Sequence, residues 1–172
     1  MKKLLLLLLL LLNCFLFSCN KNMEDNIPDT PQIEQPGNDN EIEDTFEDYG
    51  LEVIEIDLTE VYVSSSGIYN TMEEVGVYIY TYHKLPSNYR VKGQFNKSEY
   101  TKENKLSCGG DRFYNREGLL PTGANRTYTE CDIDYAGGGR NAKRIVFSSD
   151  WLIFYTDDHY ASFYILRFIN GN

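Results

Sequence analysis

Asp132 and Asp134 stand one residue apart just before Gly137-Gly138-Gly139, a spacing that opens like a calcium-binding carboxylate loop. Such a loop needs a third oxygen ligand and a bidentate glutamate further on, but Ala136 stands where the third oxygen belongs. A strand edge running into a glycine turn accounts for the run more simply. The only histidines, His83 and His159, share no metal-ligand spacing with each other or with the cysteines, and neither carries a catalytic role in this reading. Cys108, beside Gly109 and Gly110, would be a nucleophile only with a base at hand, and no nucleophile signature surrounds it. With no phosphate loop, G-x-S-x-G elbow or H-E-x-x-H run, the sequence predicts no enzyme, no metal and no cofactor.

Tyrosine is the other chemically suggestive residue, fourteen of them against one tryptophan. Tyr78, Tyr80 and Tyr82 alternate along one run, and such a ladder offers apolar bodies with polar tips for stacking on a sugar or meeting a protein. The simpler reading is that the ladder is the second buried face of a sandwich, or ordinary strand-surface packing, since aromatic cross-strand pairs commonly stabilise sheets. Together with Arg112 and Tyr114 in the irregular 98–125 segment, and Arg140 after the triple glycine, these residues form the expected binding surface.

The elements that must position them read as strands. From Gly50 onward, short alternating runs of Tyr, Val, Ile, Phe and Thr are separated by Gly, Asn, Asp and Ser. The spacing predicts a hairpin from strands 75–82 and 89–95 around Leu85-Pro86-Ser87-Asn88. Further strands are predicted at 51–58, 61–65, 128–135, 144–147, 151–156 and 160–169, the last two as a C-terminal hairpin, and no segment shows capped helical spacing. Residues 49–172 therefore predict one all-β domain, an antiparallel β-sandwich or small β-barrel.

Ahead of it, residues 19–48 carry ten carboxylates against Lys21 alone, a composition that predicts a disordered, extended tether. The whole chain has a net charge of −10, and once the tether is set aside residues 49–172 retain about −3. With no basic face to read, the balance points away from nucleic acid.

The chain opens with Lys2, Lys3 and nine leucines, and its apolar stretch is shorter than the roughly 20 residues of a spanning helix, so residues 1–18 read as a cleaved signal. Leu16-Phe17-Ser18-Cys19 resembles the lipobox of bacterial lipoproteins. The resemblance implies lipid on Cys19 and a place in the cell envelope, and Asn20 is similar to the residue that follows the cysteine in lipoproteins sent to the outer membrane. With Cys14 lost in the signal, Cys108 and Cys131 remain as a predicted disulfide in an oxidising compartment.

Lipid, tether and β-domain in series are the build of a display module. The expected function is a non-catalytic binding lipoprotein, with the membrane as one partner through its lipid anchor and a glycan or protein as its ligand. The alternative is a protective protein, a protease inhibitor or toxin-immunity lipoprotein that inserts the Gly137–Arg140 loop. A hydrolase rests only on acidic loop residues and ranks last.

Overall fold

The computed structural model describes residues 50–171, so the signal, the tether and Cys19 lie outside the described residues. Seven strands and one α-helix make up the domain: β1 (Glu52–Asp57), α1 (Met72–Tyr82), β2 (Tyr89–Arg90), β3 (Ser107–Phe113), β4 (Tyr128–Asp132), β5 (Arg144–Ser148), β6 (Ile153–Thr156) and β7 (Tyr164–Ile169). A short 3-10 turn at Lys97–Glu99 follows β2. The β-domain expected from the sequence forms, as a small, mostly-β domain with one helix on a single sheet. Its strands make one sheet in the order β1-β7-β6-β5-β4-β3-β2. The inner pairs are antiparallel, while β1 on β7 and β2 on β3 are parallel, so the sheet is mixed.

The run expected as the first hairpin strand is α1 instead. Thr71 caps it by accepting the Glu74 amide at 3.3 Å, and the Thr71 hydroxyl donates back to the Glu74 carboxylate at 3.0 Å. His83 ends the helix in the left-handed region, φ +53°, with its amide donated to the Ile79 carbonyl. Every residue from Val75 to Ile79 is buried, so an apolar alternation and a helical stripe fit this stretch equally well. The expected strand at 61–65 does not form, and β2 is only two residues long. β3 lies inside the segment expected to be a long loop.

Side-chain alternation divides the sheet into two unlike faces. One carries Cys131, Ile133, Ile145, Phe147, Ile153, Tyr155 and Leu166 against Val75, Tyr78 and Ile79 of α1. On the other, Tyr128, Val146, Phe154 and Ile165 pack with Leu120 and Phe163 into a smaller cluster. A bulge in β3, with Gly110 at φ +99°, shifts the register between Gly109, opposite Cys131, and Asp111, opposite Glu130. That one-residue slip turns Asp111 and Phe113 onto the face away from α1. Gly109 itself is pressed against β4: a Cβ there would lie 2.4 Å from Cβ of Cys131 and 2.7 Å from the Tyr89 ring.

The expected disulfide is absent, and both cysteines are buried free thiols. Cys131 faces α1, while Cys108, one residue off the Gly109–Cys131 pair, faces the opposite side, and a disulfide cannot bridge two faces of a sheet. Burial pushes both thiols above their ordinary range.

Candidate active site

On the face away from α1, register sets Asp132, Arg144 and Thr156 in one row across β4, β5 and β6, and Glu130, Val146 and Phe154 in the next. The second row is mostly apolar core, and the first is polar. Asp132 is 1% exposed and serves two guanidiniums. Arg140 holds it with both ends of its fork, Nε to Oδ2 at 2.6 Å and Nη2 to Oδ1 at 2.5 Å. Arg144 brings Nε to 3.0 Å of Oδ1, an ion pair whose alignment falls short of a hydrogen bond. The Arg144 side chain is 3% exposed, and its Nη1 is fixed by the carbonyls of Asn141 at 2.8 Å and Lys143 at 2.6 Å. Two cations on one carboxylate leave an excess of positive charge beside Glu130.

Arg140 arrives there from a turn that the chain can make only with glycine-friendly backbone, Gly137 at φ +89° and Gly138 at φ +80°. Asn141 secures the turn by donating to the carbonyls of Ile133 and Asp134. Asp134 is occupied by Lys143 at 2.7 Å. The D-x-D run is thus a pair of arginine and lysine partners, and no cluster of three metal-ligating side chains occurs among the described residues.

The β6–β7 loop closes the site. Asp158 clasps it, its Oδ1 accepting from the Thr156 hydroxyl at 2.8 Å and the amides of Ala161 and Ser162, and its Oδ2 from the Ser162 hydroxyl at 2.7 Å. Those hydrogen bonds, the Ser162 ones foremost, hold the Asp158 carboxyl down at about 2. Within the clasp, His159 and Tyr160 both sit in the left-handed region, at φ +62° and +74°, a conformation that non-glycine residues adopt only when their surroundings impose it. Tyr160 donates its hydroxyl to Glu130 Oε2 at 2.6 Å. Its ring stacks on Phe113 with centroids 5.3 Å apart. Burial and the carboxylate acceptor push its phenol well above the ordinary range, so it remains a donor. The exposed His159 ring lies against the Tyr160 ring, centroids 4.9 Å apart. One tyrosine thereby links a carboxylate at its tip to an imidazole at its body. At the sheet edge, the Lys92 amide donates to Asp111 Oδ2 at 2.6 Å, directly across from Glu130, and this exposed lysine has no ion-pair partner among the described residues.

The residues expected to form a binding surface fall in three places. Tyr78, Tyr80 and Tyr82 fasten α1 to its surroundings rather than facing a ligand: Tyr78 donates to the Ser65 carbonyl, Tyr82 to that of Val63, and Tyr80 stacks on Phe168 at 4.5 Å. Arg112 and Tyr114 lie exposed at the end of β3. Arg140 alone belongs to the site. Sequence reasoning missed Glu130, Arg144, His159 and Tyr160 in this role, since they come from three separate segments and only sheet register joins them.

A carboxylate and an imidazole set beside two guanidiniums, Arg144 buried and Arg140 partly exposed, are the kinds of group that acid–base chemistry on an anionic substrate uses. The chain belongs to the ribonuclease family, whose profile matches residues 70–166. It is 44% identical to the "Ribonuclease" of Bacillus intermedius over 113 residues, 61% of this chain and 70% of that one. It is 45% identical to the "Ribonuclease" of Heyndrickxia coagulans over 108 residues, 58% of this chain and 99% of that one. A shorter match, 44% over 55 residues, covers 31% of this chain and 54% of "Guanyl-specific ribonuclease St" of Saccharopolyspora erythraea.

Membership overturns the expectation of a non-catalytic binding module, and the protective alternative falls with it, because the family is one of enzymes. The exclusion of nucleic acid falls for the same reason: net charge was the wrong guide, because folding gathers Arg140 and Arg144 at one place whatever the balance of the whole chain. The match also replaces the description of a membrane-anchored display lipoprotein with that of a ribonuclease-family enzyme. Residues 1–49, Cys19 among them, lie outside both the match and the described structure.

Proposed function

We propose that this chain cleaves single-stranded RNA by moving the phosphodiester onto the neighbouring 2′ oxygen. The convergence of Glu130, Tyr160, His159 and Arg144 on one polar patch carries the reading. Tyr160 occupies one oxygen of Glu130, which leaves the other to take the 2′-hydroxyl proton as that oxygen attacks phosphorus. A protonated His159 gives its proton to the departing 5′ oxygen. Arg140, Arg144 and Lys92 balance the charge that grows on the non-bridging oxygens, where fixed cations act without reorganising.

Guanine is the base we propose on the 5′ side of the scissile phosphate. The guanyl-specific name of one relative supports it, and so does Glu117, an exposed carboxylate able to accept from the N1 and N2 donors of guanine. Its turn is rigid: Asn115 bonds Leu120 through both ends of its amide, and the Gly118 amide donates to the Asn115 carbonyl. The same turn begins at Phe113, the ring stacked on Tyr160.

Steady-state cleavage of a fluorogenic RNA oligonucleotide tests the reading. Glu130→Gln and His159→Ala should each lower kcat by roughly 10²–10⁴-fold with KM little changed. Wild-type kcat in either variant would remove that residue from the chemistry.

A further inference from the structure

Arginines in this domain are almost all engaged. Arg126 pairs with Asp150, Arg140 and Arg144 with Asp132, and Arg167 with Glu55, while Arg90 donates to the carbonyls of Ser87 and Tyr89. Arg112 and Arg116 stand apart, with neither a carboxylate nor a carbonyl partner among the described residues. Both turn instead to one ring, Tyr114, their guanidinium carbons 5.4 and 5.5 Å from its centroid. That ring is 65% exposed. An aromatic left in solvent with two unneutralised guanidiniums beside it is the make-up of a single-strand stacking platform: a base covers the ring or a guanidinium plane, and its phosphates meet the cations.

The platform is well placed and firm. Tyr114 directly follows Phe113, whose ring walls the Tyr160–Glu130 pair. The β3 bulge puts Arg112 opposite Thr129 and Phe113 opposite Tyr128, so consecutive residues point to the two sides of the sheet at its rim. The turn after Phe113 is held by two hydrogen bonds between the Asn115 side chain and the Leu120 backbone, which fix the chain on the C-terminal side of the ring. A strand crossing the catalytic face would meet Tyr114 as it passes over that rim.

We infer that Tyr114, Arg112 and Arg116 form an additional nucleotide subsite that holds RNA beyond the scissile linkage, contributing to the affinity for long substrates. This rests on the ribonuclease reading above. The test compares KM for a guanosine-containing dinucleotide with KM for a single-stranded RNA of about twelve residues containing one guanosine, using the full chain. Because the guanine contact is common to both substrates, the ratio of the two values isolates the outer subsite. In wild type the long substrate should have the lower KM. Tyr114→Ala should shrink that advantage by about 5-fold or more, the range of one lost stacking contact, and Tyr114→Phe should keep it. Arg112→Gln should weaken the salt dependence of KM for the long substrate, in proportion to roughly one lost phosphate contact. An unchanged ratio in Tyr114→Ala, with the dinucleotide still cleaved, overturns the subsite and leaves the ribonuclease reading standing. A wild-type chain that cleaves neither RNA overturns both.

Discussion

The two faces of the sheet come from the same strands, yet they are built to opposite ends. Under α1 the rows are filled: Ile145 and Ile133 are fully buried, Ile153 and Leu166 nearly so, and the hydroxyls of Tyr78 and Tyr82 find carbonyls at its margin. Across the sheet, packing stops halfway. Phe154, Val146 and Leu120 close one part, and beyond them the rows turn to Glu130, Asp132 and Arg144. The contrast separates stability from chemistry. Buried ion pairs contribute little net stability for what desolvation costs, so a patch of them persists in a fold when the charge is used. Here the charge lies where the proposed mechanism needs a phosphodiester to rest.

Substitutions can break or sharpen this contrast. Asp132→Ala should have the largest effect, because it strands Arg144, 3% exposed, without its carboxylate. A loss of about 3–5 kcal/mol in urea unfolding is expected, together with a loss of cleavage in whatever remains folded. Ile145→Ala, on the other face and fully buried, should cost about 2–5 kcal/mol yet leave kcat of the folded protein near wild type. If kcat fell as steeply there as in Asp132→Ala, the faces would not be functionally distinct.

The smallest effect concerns the clasp and has a defined pH window. Asp158 is held at about 2 against an ordinary 3.8, so the folded state binds its proton less readily than the unfolded chain does. Its contribution to stability is therefore present above about pH 4 and is lost as pH falls toward about 2. Asp158→Asn should be less stable than wild type at neutral pH and should converge with it near the bottom of that window, as followed by circular dichroism melts. Equal stability of the two proteins at pH 7 would mean the clasp does not hold the His159–Tyr160 loop.

Much of the sheet was legible in the sequence, because β4 to β7 are short runs rich in β-branched and aromatic residues set between turn residues, although β5 and β6 are buried on both faces rather than one. The helix was not, since burial all around Val75–Ile79 erases the polar stripe that marks a helical period. Thr71 and Glu74, a capping box, were the signal that could have decided it. The bulge in β3 hides behind Gly109-Gly110, glycines that read as loop from spacing alone. Of the site, only Arg140 was legible, picked out by its place after the triple glycine. Asp132 shows in the sequence only as the start of a strand edge before a glycine turn, because its partners are arginines eight and twelve positions on. His159 gives no local sign of its role, which depends on Tyr160 and on a carboxylate two strands away.

In the proposed mechanism Glu130 and His159 act on a ribose-bearing strand through its 2′ oxygen. A DNA oligonucleotide carrying one riboguanosine tests it most directly, with products resolved by mass. Wild type should cut once, on the 3′ side of that ribose, and Glu130→Gln should cut there at least about 100-fold more slowly. An all-deoxy strand cleaved as fast as the chimera, or a ribose position left intact by wild type, would contradict the account.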